Sequence, residues 1–253
     1  MLKKLALAAA AFLAIAAQAE AKDWSKIRIG TEGAYPPFNF FDSDKQLQGF
    51  DIDIAKAVCD KLKAECTFVA QDWDGIIPAL QAGKFDAIFA SMSITDERKK
   101  VVDFSRPYYN TPSAFIAAKG SGITDVSADA LKGKTLGAQS STIQSGYLEQ
   151  NYPGFELKLY PTQDEVYLDL ASGRIDALFV DKVVGLDWLK TTDGGCCEVV
   201  GKDIPLGGGV GAAVRKDDAD LRDAISKAIL EIKADGTYDK LNAKYFPFSI
   251  WID

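Results

Sequence analysis

Apolar and polar positions along the chain alternate between two periods. Lys26-Ile27-Arg28-Ile29-Gly30 reads as a strand that stops at glycine. The paired prolines in Thr31-Glu32-Gly33-Ala34-Tyr35-Pro36-Pro37-Phe38 then exclude regular structure and predict a constrained loop. Ile52, Ala55, Val58, Cys59 and Leu62 recur at helical spacing, with Asp51 as a candidate cap. Cys66 to Val69 is a strand and Gln71 to Gly75 a loop, and Ile76 to Ala82 form a short helix closed by Gly83. Phe85 to Ala90 is an apolar strand. It runs into the small hydroxyl turn Ser91-Met92-Ser93 and then a charged helix, with Thr95 as N-cap and Arg98 in the first turn.

The second half repeats this plan. Lys134 to Ala138 is a strand. Gln139-Ser140-Ser141-Thr142 is a turn opening a helix through Tyr147, and Phe155 to Leu159 is the next strand. Asp164 to Ala171 form a helix ended by Gly173. The segment from Leu80 to Ser91 aligns without gaps to that from Leu170 to Asp181. Each copy reads helix, glycine, basic residue, apolar residue, Asp-Ala, strand. Ser91 and Asp181 therefore fall at equivalent strand ends in two similar lobes, and a cleft between the lobes is the natural consequence. Gly207 to Gly211 lacks the Lys-Ser/Thr of a phosphate loop and reads as a flexible crossing between lobes. Leu221 to Tyr238 carries Leu221, Ala224, Ile225, Ala228, Ile229 and Ile232 on one face, an amphipathic helix packed on a core. Regular strand–helix alternation makes the fold class α/β.

Length and composition narrow the picture. The 253 residues, 47% of them apolar, suffice for a large core and two domains. Lys3 and Lys4, the apolar run Leu5 to Ala17 and the small-residue stretch to Ala21 predict a signal peptide over residues 1–21, cleaved after Ala19 or Ala21. The apolar run is too short for a membrane span, and the mature chain is expected to be exported, soluble and monomeric. The net charge of -7 becomes -8 without that leader, which argues against a nucleic-acid partner.

Cys59 and Cys66 flank a helix end and a turn, a spacing that suits a staple in an exported protein. Cys196 and Cys197 are adjacent. An ordinary unstrained bridge between them is not expected, which leaves free, strained and intermolecular states open. With no histidine in the chain, zinc and haem sites and Ser-His-Asp catalysis are not expected, and neither a metal nor a cofactor is called for.

Binding chemistry is better represented. A zwitterionic amino acid needs an anion receptor and a cation receptor a few ångströms apart. Arg98, with Ser93 and the Ser141-Thr142 turn, can supply the first, and Asp181 the second across the cleft. Tyr35 or Trp73 can cover the ligand's side chain.

Gly30 to Phe38, Gly49-Phe50-Asp51-Ile52-Asp53, Ser93 to Arg98, and Asp235 to Leu241 together make the chain resemble periplasmic polar amino acid-binding proteins of ABC importers. Within these it resembles the lysine/arginine/ornithine- and histidine-binding group. The resemblance implies a two-lobed periplasmic binding protein fold of type II. Lobe 1 would comprise residues 22–110 and 206–253, lobe 2 residues 111–205, joined by two hinge crossings with the ligand between them. It implies that Arg98 clamps the ligand's carboxylate with Ser93 and Thr142, that Asp181 and Ser91 receive its ammonium, and that Tyr35 and Trp73 sandwich its side chain. Glu32 would face a distal cation with help from Asp51, and Cys59 would pair with Cys66. The implied partners are a free amino acid, with arginine, lysine, ornithine, histidine and opines all open, and a membrane permease. A dehydratase on the same fold is the competing activity. Ala90 in place of serine, Trp73 in place of phenylalanine, and Ile143 in place of a glutamine-type contact are departures that alter pocket shape.

Overall fold

The computed structural model describes residues 22–253. The leader expected over residues 1–21 lies outside them. The first elements are β1 (Lys26–Thr31), β2 (Ala34–Tyr35), β3 (Asn39–Phe41), β4 (Leu47–Gln48), α1 (Phe50–Leu62) and β5 (Glu65–Ala70). Next come α2 (Trp73–Gln81), β6 (Ala87–Ile88), α3 (Asp96–Lys99), β7 (Asp103–Tyr109) and β8 (Ser113–Ala118). Then follow β9 (Thr135–Gln139), α4 (Ile143–Asn151), β10 (Glu156–Tyr160), α5 (Gln163–Ala171), β11 (Ala177–Asp181) and α6 (Lys182–Trp188). The chain finishes with β12 (Cys197–Ile204), β13 (Val210–Val214), α7 (Ala219–Ala234) and α8 (Thr237–Tyr245).

These strands form two five-stranded sheets, ordered β5-β1-β6-β13-β7 and β10-β9-β11-β8-β12, with β2, β3 and β4 in a small sheet of their own. The two large sheets share one plan. Three parallel strands come first, and a fourth runs antiparallel to both of its neighbours, β13 in one sheet and β8 in the other. The chain leaves the first sheet after Tyr109 and enters the second at Ser113. It returns between Ile204 and Val210.

The sequence echo now has a physical cause. Asp86 and Asp176 each precede the third strand of a sheet. The Asp86 carboxylate accepts the Arg28 backbone N–H at 3.0 Å, and Asp176 accepts that of Thr135 at 2.8 Å. In return the Asp86 N–H donates to the Arg28 carbonyl, and that of Asp176 to the Thr135 carbonyl. Each aspartate thus pins its strand in register beside β1 or β9, and a one-residue slip would break both bonds. The cations beside them stabilise the charges: Arg28 and Arg215 on Asp86, and Lys134 on Asp176. The echoed Asp-Ala is therefore a registration device, and it delivers the strand ends that follow it to matching places.

Three local expectations are revised. The single helix expected from Leu221 to Tyr238 is two, because Gly236 takes a left-handed φ of 79° and ends α7 before α8 begins. Helix α2 starts at Trp73, so Trp73 sits on a helical first turn instead of in a loop. Gly49, not Asp51, occupies the N-cap position of α1. Its φ of 122° and the Phe38 carbonyl, 2.2 Å from where a Cβ would stand, exclude any side chain there. Cys196 and Cys197 are bonded to each other, one of the states the adjacent spacing had left open, and Gly194 just before them lies so close to the Trp188 carbonyl that a Cβ would stand 2.0 Å from it. Cys59 is bonded to Cys66.

Candidate functional site

A polar cavity lies between the two sheets at their strand ends. One wall is formed by Glu32, Tyr35, Trp73, Ser91, Ser93 and Arg98, and the facing wall by Gln139, Thr142, Ile143, Gln144 and Asp181. Ten residues were expected here from the sequence, and all but Asp51 and Ser141 line it.

Arg98 is placed by the cap of α3. The Thr95 hydroxyl accepts the Arg98 backbone N–H at 3.1 Å, which fixes the helical turn that carries the side chain. The guanidinium donates to the Ser93 carbonyl at 2.8 Å and to the Ser141 carbonyl at 3.1 Å, and its Cζ lies 5.2 Å from the Trp73 ring centre. Burial lowers its pKa to about 10, so it stays charged at neutral pH. Among the described residues no carboxylate forms an ion pair with it. Ser141 contributes through its backbone: a left-handed φ of 57° aims its carbonyl across the cleft. The N-terminus of α4 opens on the same cavity, where Thr142 and Ser145 form a capping box.

Across the cavity Asp181 accepts the Tyr35 hydroxyl at 2.9 Å and the Thr111 hydroxyl at 3.2 Å. Burial still raises its pKa to about 6, because the Tyr35 and Thr111 hydroxyls, the Gln144 amide and the charge of Arg98 only partly replace the water it has lost. Glu32 is pushed up to about 7 by burial, opposed by the Gln139 amide, with the charges of Asp164, Asp72 and Asp74 adding to the rise.

Asp51 does not reach the cavity. It is fully buried behind Ser91, where it accepts the Ser91 N–H at 2.7 Å, the Ser91 hydroxyl at 3.2 Å and the Tyr108 hydroxyl at 2.7 Å. These bonds hold Ser91 in a left-handed conformation, φ 51°, with its hydroxyl also accepting the Tyr109 hydroxyl at 2.7 Å. Asp51 is thus a support for the wall and not part of its surface.

Gln139 and Gln144 line the cavity without having been singled out from the sequence. Gln144, not residue 143, supplies the glutamine side chain near Thr142, and its amide donates to the Ser113 hydroxyl at 3.0 Å. The signal for Gln139 was present: it ends the strand that neighbours the echoed one. Among the described residues four side-chain bonds already span the cleft: Tyr35 to Asp181, Gln139 to Glu32, Arg98 to the Ser141 carbonyl, and Ser140 to Asp74.

Two α/β halves face each other across a polar cavity, with a guanidinium on one wall that pairs with no carboxylate among the described residues and a carboxylate on the other, the two opposite charges that a small zwitterion needs. The chain belongs to the bacterial extracellular solute-binding proteins, family 3, whose family model matches residues 27–248. It is 42% identical to the L-arginine-binding protein of Pseudomonas aeruginosa over 99% of both chains. It is 40% identical to the lysine/arginine/ornithine-binding periplasmic protein of Escherichia coli over 98% of both. An ancestral arginine-binding protein has been solved with glutamine bound and with arginine bound. Each structure is 41% identical to this chain at a TM-score of 0.83 and covers 88% of it, and this chain covers 99% and 98% of the two in turn. Among the described residues no helix is long and apolar enough to cross a membrane, and no cluster of metal-ligating side chains occurs.

Proposed function

We propose that this protein is the periplasmic receptor of an ABC importer for amino acids with basic side chains. Arginine, lysine and ornithine are the leading ligands, with histidine and opines as alternatives. The observation that carries this is the charge arrangement of the cavity. Among the described residues Arg98 has no carboxylate partner, Asp181 faces it with neutral hydrogen-bond donors, and Glu32 adds a second carboxylate beyond. An α-carboxylate on Arg98 and an α-ammonium on Asp181 neutralise the first two. A distal cation neutralises the third, and Tyr35 and Trp73 are placed to cover the aliphatic stem. The names of the similar proteins point the same way.

The two lobes are residues 22–110 with 206–253, and residues 111–205, crossing near Tyr109 and Ile204. Ligand contacts come from both lobes, so bound ligand favours the closed form by its differential contacts, and that form is what a permease would recognise. Transport of an unaltered ligand, without catalysis, is the activity. Two of the buried carboxylates, Asp51 and Asp181, are engaged by tyrosine hydroxyls, and the chain has no histidine to shuttle protons.

A thermal-shift panel of the natural amino acids and ornithine tests this. Ligand at 100 times its Kd stabilises by about 2.7 kcal/mol, or about 5–11 °C for a chain of this size. Arginine, lysine or ornithine is expected to give that shift. A shift with glutamine or glutamate alone would overturn the basic-ligand assignment.

A further inference from the structure

The distal end of the cavity contains a bond that the zwitterion clamp does not use. Gln139 ends β9 and is 3% exposed. Its Nε2 donates to Glu32 Oε1 at 2.6 Å and to the Pro161 carbonyl at 3.1 Å. Donor and acceptor belong to opposite lobes, so this bond forms when the cleft closes. Polar atoms without partners lie in the flanking segments. Thr31 Oγ1 immediately precedes Glu32 in the chain, and Gln163 Nε2 comes two residues after Pro161. Both residues are buried, at 0% and 2% exposure. The carboxylates of Asp72, Asp74 and Asp164 add negative potential at Glu32. A neutral amide is a weak match for such surroundings, and an ammonium or guanidinium a strong one.

We propose that Gln139 is a specificity-determining residue: on the Glu32 carboxylate its amide stands in for the distal cation of the ligand, and so sets the ratio of basic to neutral side chains that the cleft accepts. This rests on the reading of Glu32 as the receptor for a basic side chain. A ligand with a neutral side chain leaves the Glu32–Gln139 bond intact, and the buried carboxylate stays partnered. A ligand with a distal cation displaces Nε2 from Glu32, while Gln139 keeps its bond to the Pro161 carbonyl. Removing the amide moves the two affinities in opposite directions. It frees Glu32 for the cation, and it leaves Glu32 unpartnered when a neutral ligand is bound. Specificity is the difference of the two affinities, so the effects add.

The test is calorimetric titration of the purified protein and of Gln139→Leu with L-arginine, L-lysine and L-glutamine at pH 8. Leucine suits the buried strand end, and Gln139→Met, unbranched and of similar length, serves as the second variant. The ratio of arginine to glutamine affinity is expected to rise about tenfold in both variants, equivalent to about 1.4 kcal/mol. A rise of less than threefold overturns the proposal. So does a fall, which would mean that the Gln139 carbonyl oxygen accepts from the guanidinium. Arginine binding by the wild type with an unmoved ratio refutes only the role of Gln139. A wild type that binds glutamine and neither basic amino acid refutes the basic-ligand assignment, and Gln139 keeps its role only where Gln139→Leu gains arginine binding.

Discussion

Acid should weaken binding, by an amount that depends on the ligand's side chain. Burial holds the Asp181 carboxyl at a pKa of about 6 and that of Glu32 at about 7. An ammonium on Asp181 and a distal cation on Glu32 both require the ionised form, so any proton on either must leave as the ligand binds. The sign follows: affinity is level near pH 8, then falls as pH drops through 7 and through 6. Between pH 8 and pH 5, protonation of a group at 6 costs about tenfold and of one at 7 about a hundredfold. Arginine should therefore lose about a thousandfold, near 4 kcal/mol, whereas glutamine, needing only Asp181 ionised, should lose about tenfold. Arg98, at about 10, stays charged throughout. Calorimetry in two buffers of different ionisation enthalpy counts the protons directly. At pH 6, about one and a half should be released with arginine and about half of one with glutamine. A level arginine affinity from pH 5 to 8, or equal slopes for the two ligands, would refute the assignment of Glu32 and Asp181 as cation receptors.

Substitutions at three places probe other parts of the site and its frame. Arg98→Ala should abolish amino acid binding in calorimetry. Arg98→Lys, which keeps the charge and loses the fork now shared between Ser93 and Ser141, should cost about a hundredfold. Asp51→Ala leaves the Ser91 N–H and the Tyr108 hydroxyl buried without a partner. It should lower stability by about 2–4 kcal/mol in urea unfolding and weaken binding through the displaced Ser91, and an unchanged urea midpoint would contradict its role as a support. Replacing Cys59 and Cys66 by serine opens a loop of sequence separation 7. It should cost about 2–3 kcal/mol by the same measurement while leaving ligand selectivity intact.

Much of the site was legible because it depends on local rules. The Thr95 cap, read from a hydroxyl before a charged run, is the contact that fixes the turn carrying Arg98. The repeated Asp-Ala located two equivalent strand ends, and Asp181 lies on the cavity where that equivalence put it. Asp51 was misplaced for a reason of the same kind. Its position at a helix start looks like a cap in one dimension, and only the packing of α1 against Ser91 and Tyr108 turns its carboxylate inward. Strands β7, β8, β12 and β13 carry no strong turn signal of their own. Their partners lie far away in the chain, so pairing them required the sheets themselves.

Sequence alone determined the strand–helix alternation, the doubled plan, the capped arginine and the aromatic and acidic residues available to a ligand, because periodicity, caps and glycine stops act over a few residues. Tertiary structure alone decided which of those side chains meet. The bond of Gln139 to Glu32 joins residues 107 positions apart on opposite lobes, and Tyr35 meets Asp181 across 146. Such contacts arise only when two separately folded sheets are brought face to face, and no local pattern records the distance between them.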